Sequence, residues 1–264
     1  MWAIGWLVTA TCWKGSSPDM HPLSRVAAAP FRWVPAVVRR RLVQVITRAA
    51  AAGAPSEALR ELLTMESDLS GQVDLVSLAY GDGIHVKHRI MQYHDFFVDR
   101  IHDGERVLDI GCGYGAVAHS IATRTGAHVT GLDMEPANVK LARTRFQHER
   151  LTFAEGEAPR TLPEGRFDVI VLSNVLEHIE HRRDFLRQVQ SRLSPARWLI
   201  RVPMFNRDWR PPLRKELGLF AFSDPTHWTE YTRETFETEM ADVGFLVRHL
   251  QVNWGEIWAE VARP

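Results

Sequence analysis

The sequence has few cysteines, no excess of charge and no apolar run long enough to cross a bilayer. Only two of its 264 residues are cysteines, and neither belongs to a CxxC pair or to a Cys/His cluster with metal-ligand spacing. This argues against a zinc site and a disulfide-stabilised secreted domain, and it favours a reducing cytoplasm. Lys and Arg number 32, as do Asp and Glu, so the net charge gives no reason to expect nucleic acid as a partner.

The apolar N-terminal stretch, residues 1–13, is too short for a membrane-spanning helix and lacks the basic flank of a secretory signal. Met20 follows a Gly/Ser/Pro stretch and is a plausible start. We therefore leave open whether residues 1–19 belong to the functional protein.

Residues 34–50 are predicted to form a basic amphipathic helix. Five apolar side chains share one face at helical spacing: Val38, Leu42, Val45, Ile46 and Ala49. Three arginines point elsewhere: Arg39, Arg40 and Arg48. Such a helix either packs on a larger domain with its charged side in water, which is the commoner case, or contacts an anionic surface such as a membrane.

Two more helices are predicted before the main domain. Ser56 is a suitable N-cap for the first, which should break near Ser70 and Gly71, and the second covers about residues 86–101. We assign residues 1–80 to an N-terminal extension with a helical region and residues 81–264 to the main domain.

From residue 105 onward, short apolar runs alternate with amphipathic segments. Strands are predicted at about 107–110, 128–132, 151–154, 167–172, 198–202, 245–252 and 256–261. Helices are predicted at 116–125, 136–146 and 184–193, with a last one capped by Thr232 and stopped by Gly244. This alternation indicates an α/β fold, a doubly wound parallel sheet covered by helices on both faces.

The strongest functional signal is the glycine-rich loop that follows the first predicted strand. Gly111, Gly113 and Gly115 alternate with other residues, and Asp109 precedes them by two positions. Without side chains, the loop backbone can approach a bound nucleoside closely. A dinucleotide fold favours GxGxxG, which lets a helix N-terminus hold a pyrophosphate. The GxGxG spacing with an adjacent acid disfavours phosphate and favours a ligand with a positive charge.

Two further acids follow the next two predicted strands. Asp133 is placed to accept from both ribose hydroxyls of a nucleoside. Glu157 can accept from an adenine amino group, and Ala158 offers a backbone N–H to a ring nitrogen. Each acid alone is commonly a surface residue, but three at successive strand ends indicate a nucleoside site.

These segments resemble a known family. VLDIGCGYG, VTGLDMEP, AEGEA and FDVIVLSNVLEHI are similar, in order and spacing, to the successive motifs of class I S-adenosylmethionine-dependent methyltransferases across roughly residues 80–264. The resemblance implies a Rossmann-like sheet of seven strands with the last strand antiparallel. It also implies S-adenosylmethionine as the cofactor, held by Asp109, Gly111, Gly113, Gly115, Asp133, Met134, Glu157, Ala158 and Ser173. Glu157 departs from the aspartate that many relatives carry.

Two histidines are candidate general bases for the methyl acceptor. His178 follows the fourth predicted strand, whose carboxyl end faces the ligand crevice of such sheets, and His227 precedes the last predicted helix. With Glu177 they would make a two-histidine, one-carboxylate metal set. Some methyltransferases of small RNA ends and quinone precursors look similar here, but their first acid is replaced by Asn174, so no metal is predicted.

We therefore expect an enzyme that methylates a hydroxyl of a small molecule, glycan or lipid intermediate. Basic residues near the long insertion suit an acidic acceptor: Arg201, Arg207, Arg210, Arg214 and Lys215. Three alternatives stay open: a cyclopropane-type enzyme on lipid acyl chains at the membrane surface, a non-catalytic cofactor-binding protein and, least favoured by the loop spacing, an NAD-dependent oxidoreductase. The expected location is the cytoplasm, with peripheral membrane contact through helix 34–50 as an option.

Overall fold

The computed structural model describes residues 33–264, so the expectations for residues 1–19 lie outside the described residues. The chain divides into two compact units, one ending at His85 and one covering Val86–Pro264. The division falls five residues after the boundary predicted at 80/81.

The described part of the first unit contains two helices, α1 (Ala36–Ala50) and α2 (Pro55–Tyr80). Helix α1 confirms the predicted basic helix, with most of its side chains exposed. Helix α2 begins with Pro55 after the non-helical Ala54, so Ser56 is inside the helix and is not its N-cap. The predicted break at Gly71 is also wrong, because one glycine costs a helix only about 1 kcal/mol and good helix formers flank it.

The second unit opens with two short helices, α3 (Lys87–Met91) and α4 (His94–Val98). The single helix predicted over residues 86–101 is wrong, because Gln92 adopts a left-handed conformation with φ of 50° and ends α3. The turn lets α4 bury Phe96 and Phe97 in the core.

A seven-stranded sheet forms the centre of the second unit. Its strands are β1 (Arg106–Ile110), β2 (His128–Asp133), β3 (Leu151–Glu155), β4 (Val169–Ser173), β5 (Arg197–Pro203), β6 (Leu246–Asn253) and β7 (Glu256–Ala262). The strand order is β3-β2-β1-β4-β5-β7-β6. Strands β1 to β5 pair in parallel, and β7 pairs antiparallel with β5 and β6. The predicted fold class, with the last strand antiparallel, is confirmed.

Five helices connect the strands: α5 (Ala116–Arg124), α6 (Pro136–Arg145), α7 (Arg182–Leu193), α8 (Arg210–Glu216) and α9 (Arg233–Asp242). Helix α9 begins at the predicted cap, where the Thr232 and Thr235 side chains and backbones bond reciprocally. Gly244, with φ of 80°, follows it and turns the chain into β6.

Apolar residues cover both faces of the sheet because neighbouring side chains of a strand point in opposite directions. In β1, Leu108 belongs to the core around Trp198 and Phe236, whereas Val107 belongs to the core around Phe97. Strands buried on both faces read as unbroken apolar runs, which explains why the sequence pattern located them well.

The strand order also determines where a ligand can bind. The chain runs from β1 outward to β2 and β3, then returns to β4 on the other side of β1. Parallel sheets of this kind bind ligands at the carboxyl ends of the strands where the order reverses. Here that position lies between β1 and β4, where the glycine loop follows β1 and Ser173 ends β4.

Candidate active site

The glycine loop joins β1 to α5 and has the backbone that its sequence predicts. Gly111, Gly113 and Gly115 have φ of 71°, 55° and 86°, a region that favours glycine. A Cβ on Gly115 would lie 2.5 Å from the Phe153 ring, so packing alone requires a glycine there. A Cβ on Gly113 would meet no atom of residues 33–264 within 4 Å, so the open space beside Gly113 is available to a ligand.

Asp109 is a buried acid that lacks a full set of donors. Its side chain is 1% exposed, and within the described part of the chain Oδ2 has no hydrogen-bond partner. Burial, followed by the negative charge of Asp133, raises the pKa of Asp109 to about 8, against a smaller lowering by the Ala118 N–H. An unsatisfied buried carboxylate is costly, and a cationic donor in the pocket would relieve the cost.

Asp133, at the end of β2, holds the glycine loop in place. Its Oδ2 accepts from the Gly113 N–H at 2.8 Å, and its Oδ1 accepts from the Glu135 N–H at 2.9 Å and the Asn138 side chain at 3.1 Å. A carboxylate has about four acceptor positions, so these three bonds leave room for a ligand hydroxyl. Its predicted ribose role stays a prediction, and the structure adds a role in shaping the loop.

Replacing Asp133 by Ala is expected to weaken binding of S-adenosyl nucleosides by ~1–3 kcal/mol, since ligand hydroxyls and the loop N–H both lose their acceptor. Isothermal titration calorimetry measures this directly. Asn138→Ala is the matched control, because it removes one of the bonds that hold the carboxylate and keeps the carboxylate itself. Equal affinity in the Asp133 variant and the wild type would contradict the prediction.

The other predicted adenine-side residues lie at the outer rim. Met134 is 60% exposed, and Glu157 is exposed and pairs with Arg160 at 3.3 Å. The ends of β2 and β3 adjoin, since the Gly156 N–H donates to the Asp133 carbonyl at 2.9 Å. The structure thus brings Met134, Glu157 and Ala158 to the same edge, and their contact with a nucleobase stays a prediction.

A pocket opens beside Asp109 and is lined from two sides. One side is formed by residues that lie in or directly after strands β1, β4 and β5: Asp109, Gly111, Gly113, Ser173, Asn174 and Arg201. The other side is formed by residues of the segment before β1: Lys87, His88 and Tyr93. The predicted residues Asp109, Gly111, Gly113 and Ser173 therefore share one cavity. The unsatisfied Asp109 oxygen and the open space at Gly113 fit the cationic nucleoside that the loop spacing predicts.

Arg201, one of the basic residues suggested for an acidic acceptor, is held inside the protein. It is 2% exposed, its guanidinium lies 3.7 Å from the centre of the Tyr93 ring, and its Nε donates to Glu256 at 2.6 Å. Arg207 is likewise paired, with Glu230. These two arginines form internal ion pairs because a buried guanidinium needs a carboxylate partner.

The two candidate histidines lie face to edge, with ring centroids 4.6 Å apart. His178 lies on a 3-10 turn, Leu176–His178, and its Nδ1 is 2.8 Å from Thr226 Oγ1. The Thr226 hydroxyl donates to Asp224 Oδ1 at 2.6 Å, so Thr226 accepts from His178. Burial, and then the charge of His227, lower the pKa of His178. A neutral His178 with Nδ1 protonated leaves the Nε2 lone pair available.

His227 is oriented by a carboxylate that sequence reasoning missed. Its Nδ1 is 3.1 Å from Glu230 Oε1, and the Glu230 side chain is fully buried. Burial alone would raise the pKa of Glu230, but hydrogen bonds from His227 and Ser223 together lower it. The i,i+3 spacing of His227 and Glu230 was visible in the sequence, but a loop segment carries no periodicity to show that they meet.

The predicted absence of a metal rests on Asn174, and the structure shows what that residue does. Glu177, His178 and His227 each present a ligand atom within 4.8 Å of the others. Asn174 donates to Glu177 Oε1 at 2.8 Å, and Glu177 Oε2 has no partner within residues 33–264. Burial raises the pKa of Glu177 to about 7. This donor set suits a divalent transition metal, so the metal-free prediction needs a direct test.

Residues 83–250 match the family model described as "Methyltransferase domain". The match covers more than half of the chain, and the glycine loop, the strand-end acids and strands β1 to β5 lie within it. The chain belongs to the class I S-adenosylmethionine-dependent methyltransferases. The methyltransferase therefore uses S-adenosylmethionine as its cofactor.

Curated relatives match part of the methyltransferase. A mitochondrial ubiquinone biosynthesis O-methyltransferase of Schizosaccharomyces pombe is 35% identical over 102 residues, 37% of each chain. A demethylmenaquinone methyltransferase of Tropheryma whipplei is 31% identical over 158 residues, 54% of this chain and 64% of the relative. The matches thus span less than two thirds of these relatives.

Solved structures show the same fold at lower identity. Magnesium protoporphyrin IX methyltransferase of Synechocystis PCC 6803 with bound SAH has a TM-score of 0.55 and 21% identity over 69% of this chain and 85% of its own. The pyocyanin biosynthetic protein PhzM has a TM-score of 0.54 and 17% identity, and the match covers 76% of this chain and 67% of PhzM. The seven-stranded sheet is therefore the shared feature.

Proposed function

We propose that this methyltransferase methylates a hydroxyl oxygen of a small, largely apolar molecule, with a phenol or enol as the acceptor group. The observation that carries the proposal is the pair of oriented histidines, His178 and His227, which meet beside Glu177. Asn174 provides the link to the cofactor pocket, since it lines that pocket and donates to Glu177 at 2.8 Å.

The chain's own residues divide the work between binding and proton transfer. S-adenosylmethionine supplies a methyl group that the positive sulfur has already activated. Asp109 balances the ligand's positive charge, the glycine loop lets the ligand approach the backbone, and Asp133 holds that loop and accepts from hydroxyls. The remaining requirement is an aligned acceptor from which water is excluded.

A hydroxyl is a poor nucleophile until its proton is removed, and a neutral histidine beside the bound acceptor meets that need. Both histidines have Nδ1 engaged, by Thr226 and by Glu230. Each therefore presents Nε2 as the acceptor. We assign the base to His227, because its partner is a buried carboxylate that stabilises the imidazolium formed when the proton arrives.

The insertion after β5 supports an apolar, flat acceptor. Trp209, Phe220 and Trp228 are each more than half exposed, although large aromatic side chains are usually buried. Trp228 follows His227 directly, and its N–H donates to the Glu177 carbonyl at 2.8 Å. The names of the curated relatives, which refer to ubiquinone biosynthesis and demethylmenaquinone, agree with an aromatic acceptor.

The test supplies labelled S-adenosylmethionine with four acceptor classes in parallel: dihydroxybenzoate-type phenols, alkylated quinols, uronic acids and phospholipid vesicles. We expect label on an ether oxygen of a phenol or quinol, established by mass spectrometry. Methylation of the sugar acids alone, or of a ring carbon, would contradict the proposal. If none of the four acceptor classes takes up label, the assay is repeated with fractionated cell extract. A labelled product from the extract that carries no O-methyl group would also contradict the proposal.

A second candidate, an enzyme that acts on lipids at a membrane surface, is supported by α1. Val38, Leu42, Val45 and Ile46 line one side of this helix and are each at least 41% exposed. Helix α1 contains four arginines and no acidic residue. In the described part of the chain, none of the helices is long and apolar enough to cross a membrane. Peripheral attachment of a cytoplasmic enzyme is the mode that this helix suits.

We expect the protein to sediment with vesicles that contain anionic phospholipid and to remain in the supernatant with neutral ones. Reversing Arg39, Arg40 and Arg48 to Glu should weaken binding at least tenfold, since each basic residue near such a surface contributes about 1 kcal/mol. Changing the same residues to Lys keeps the charge and should keep binding. Equal sedimentation of the Glu variant would reject membrane attachment through α1.

A further inference from the structure

Glu230 is a buried carboxylate that three neighbouring groups hold in a fixed position. The Ser223 N–H and hydroxyl donate to Oε1, the hydroxyl at 2.6 Å, and the Arg207 guanidinium donates to Oε2. Arg207 also donates to the Met204 carbonyl at 2.8 Å, which ties it to the end of β5. The Glu230 side chain therefore has little freedom to rotate.

The remaining contact of Glu230 is with His227, and its chemistry determines the histidine tautomer. A carboxylate paired with a guanidinium is ionised and can only accept. His227 Nδ1, 3.1 Å from Oε1, must therefore carry a hydrogen. In a neutral imidazole the other nitrogen then has the lone pair, so Nε2 is the basic atom.

The same segment holds the second histidine. Thr226, whose hydroxyl donates to Asp224, accepts from His178, whereas Glu230 accepts from His227. The backbone bond from Trp228 to Glu177 joins this segment to the 3-10 turn. Residues 223–230 thus bring both rings together beside Glu177.

We propose that Glu230 is a positioning residue for methyl transfer: it keeps the His227 Nε2 lone pair directed at the acceptor and stabilises the imidazolium after proton transfer. This inference rests on the proposed O-methylation, since only a protonated acceptor needs a base. Glu230 acts through His227 and has no direct contact with the acceptor.

The first experiment compares Glu230→Gln with the wild type. We expect kcat to fall ~10–10²-fold, while the Kd for S-adenosylhomocysteine and the acceptor KM change less than threefold. Glu230→Asp should recover part of kcat. The matched control is Glu105→Gln, which disrupts another largely buried ion pair, with Arg197 at 2.7 Å. We expect it to lower Tm without lowering kcat, and a similar kcat loss in both variants would mean a merely structural role.

A double-mutant cycle separates positioning from general damage. If Glu230 acts through His227, then adding Glu230→Gln to His227→Ala should cause less than a twofold further loss of kcat. If the losses of kcat in the two single variants multiply in the double variant, the proposal is overturned.

Nitrogen-15 NMR of the imidazoles tests the inference without any acceptor. Comparison with His227→Ala assigns the His227 signals among the twelve histidines of the chain. We expect the Nδ1–H tautomer of His227 in the wild type at neutral pH and a changed tautomer ratio in Glu230→Gln. A His227 that is mainly Nε2–H contradicts the inference even where O-methylation is found. If His227 is the Nδ1–H tautomer but the enzyme methylates carbon, the proposed O-methylation is rejected, whereas the orientation of His227 by Glu230 is still supported.

Discussion

His227→Ala is expected to lower kcat ~10²–10⁴-fold and to leave the affinity for S-adenosylmethionine unchanged, the range that loss of a general base produces. The affinity should survive because His227 is not among the residues that line the cofactor pocket. Single-turnover kinetics with a saturating acceptor measure the chemical step, and calorimetry measures binding.

His178→Ala is the companion variant, since sequence reasoning ranks His178 first. The structure reverses that order, because the hydroxyl of Thr226 faces the His178 ring whereas an ionised carboxylate faces His227. We expect a loss of about tenfold in kcat for His178→Ala, below the range expected for a general base. A larger loss for His178→Ala than for His227→Ala would assign the base to His178.

The same assay decides the question of a metal. Activity should survive prolonged treatment with EDTA, as expected if imidazole alone accepts the proton. Loss of activity after chelation, with recovery on adding one divalent metal, would assign Glu177, His178 and His227 to a metal site. Elemental analysis of the purified wild type and of His227→Ala gives an independent measurement.

Asp109→Asn is expected to reduce the affinity for S-adenosylmethionine ~10–10²-fold, because it removes a charged acceptor for the ligand's cation. The same substitution should raise the stability of the ligand-free protein. The pKa of Asp109 in the folded protein, about 8, lies above its ordinary value of 3.8, so stability falls as pH rises from about 4 to 8. Asparagine removes this penalty, roughly 2–4 kcal/mol at pH 7, and thermal unfolding should show a higher Tm.

The pH dependence of binding follows from the same group. Below pH 8 most of the Asp109 carboxyl is protonated, and binding of a cation must expel that proton. The affinity of the wild type should therefore rise between pH 6 and 7.5, by up to about tenfold per pH unit. In Asp109→Asn this rise should disappear. A wild-type affinity that does not vary over this range would show that Asp109 is already ionised without ligand.

The sequence pattern predicts the strands of the sheet more accurately than the helices that precede them. The predicted strands overlap the observed ones, because most of them are short, largely apolar runs between turn residues. The helix predicted at 86–101 is two helices, since a left-handed residue at Gln92 leaves no mark in the apolar pattern. Helix α2 continues through Gly71 because the residues around it favour helix more than one glycine opposes it.

The cofactor site can be read from the chain because its parts follow consecutive strands. Glycine spacing and the acid at Asp109 are local features, and parallel pairing brings the ends of β1 and β2 together whatever the loops do. Which groups are buried or paired depends on distant contacts. Arg201 meets Glu256 across 55 residues, and the ring of His227 meets that of His178 across a loop without periodicity. The ligand type is thus encoded in short segments, whereas the tautomer and charge of the catalytic groups depend on side-chain packing that the sequence pattern does not show.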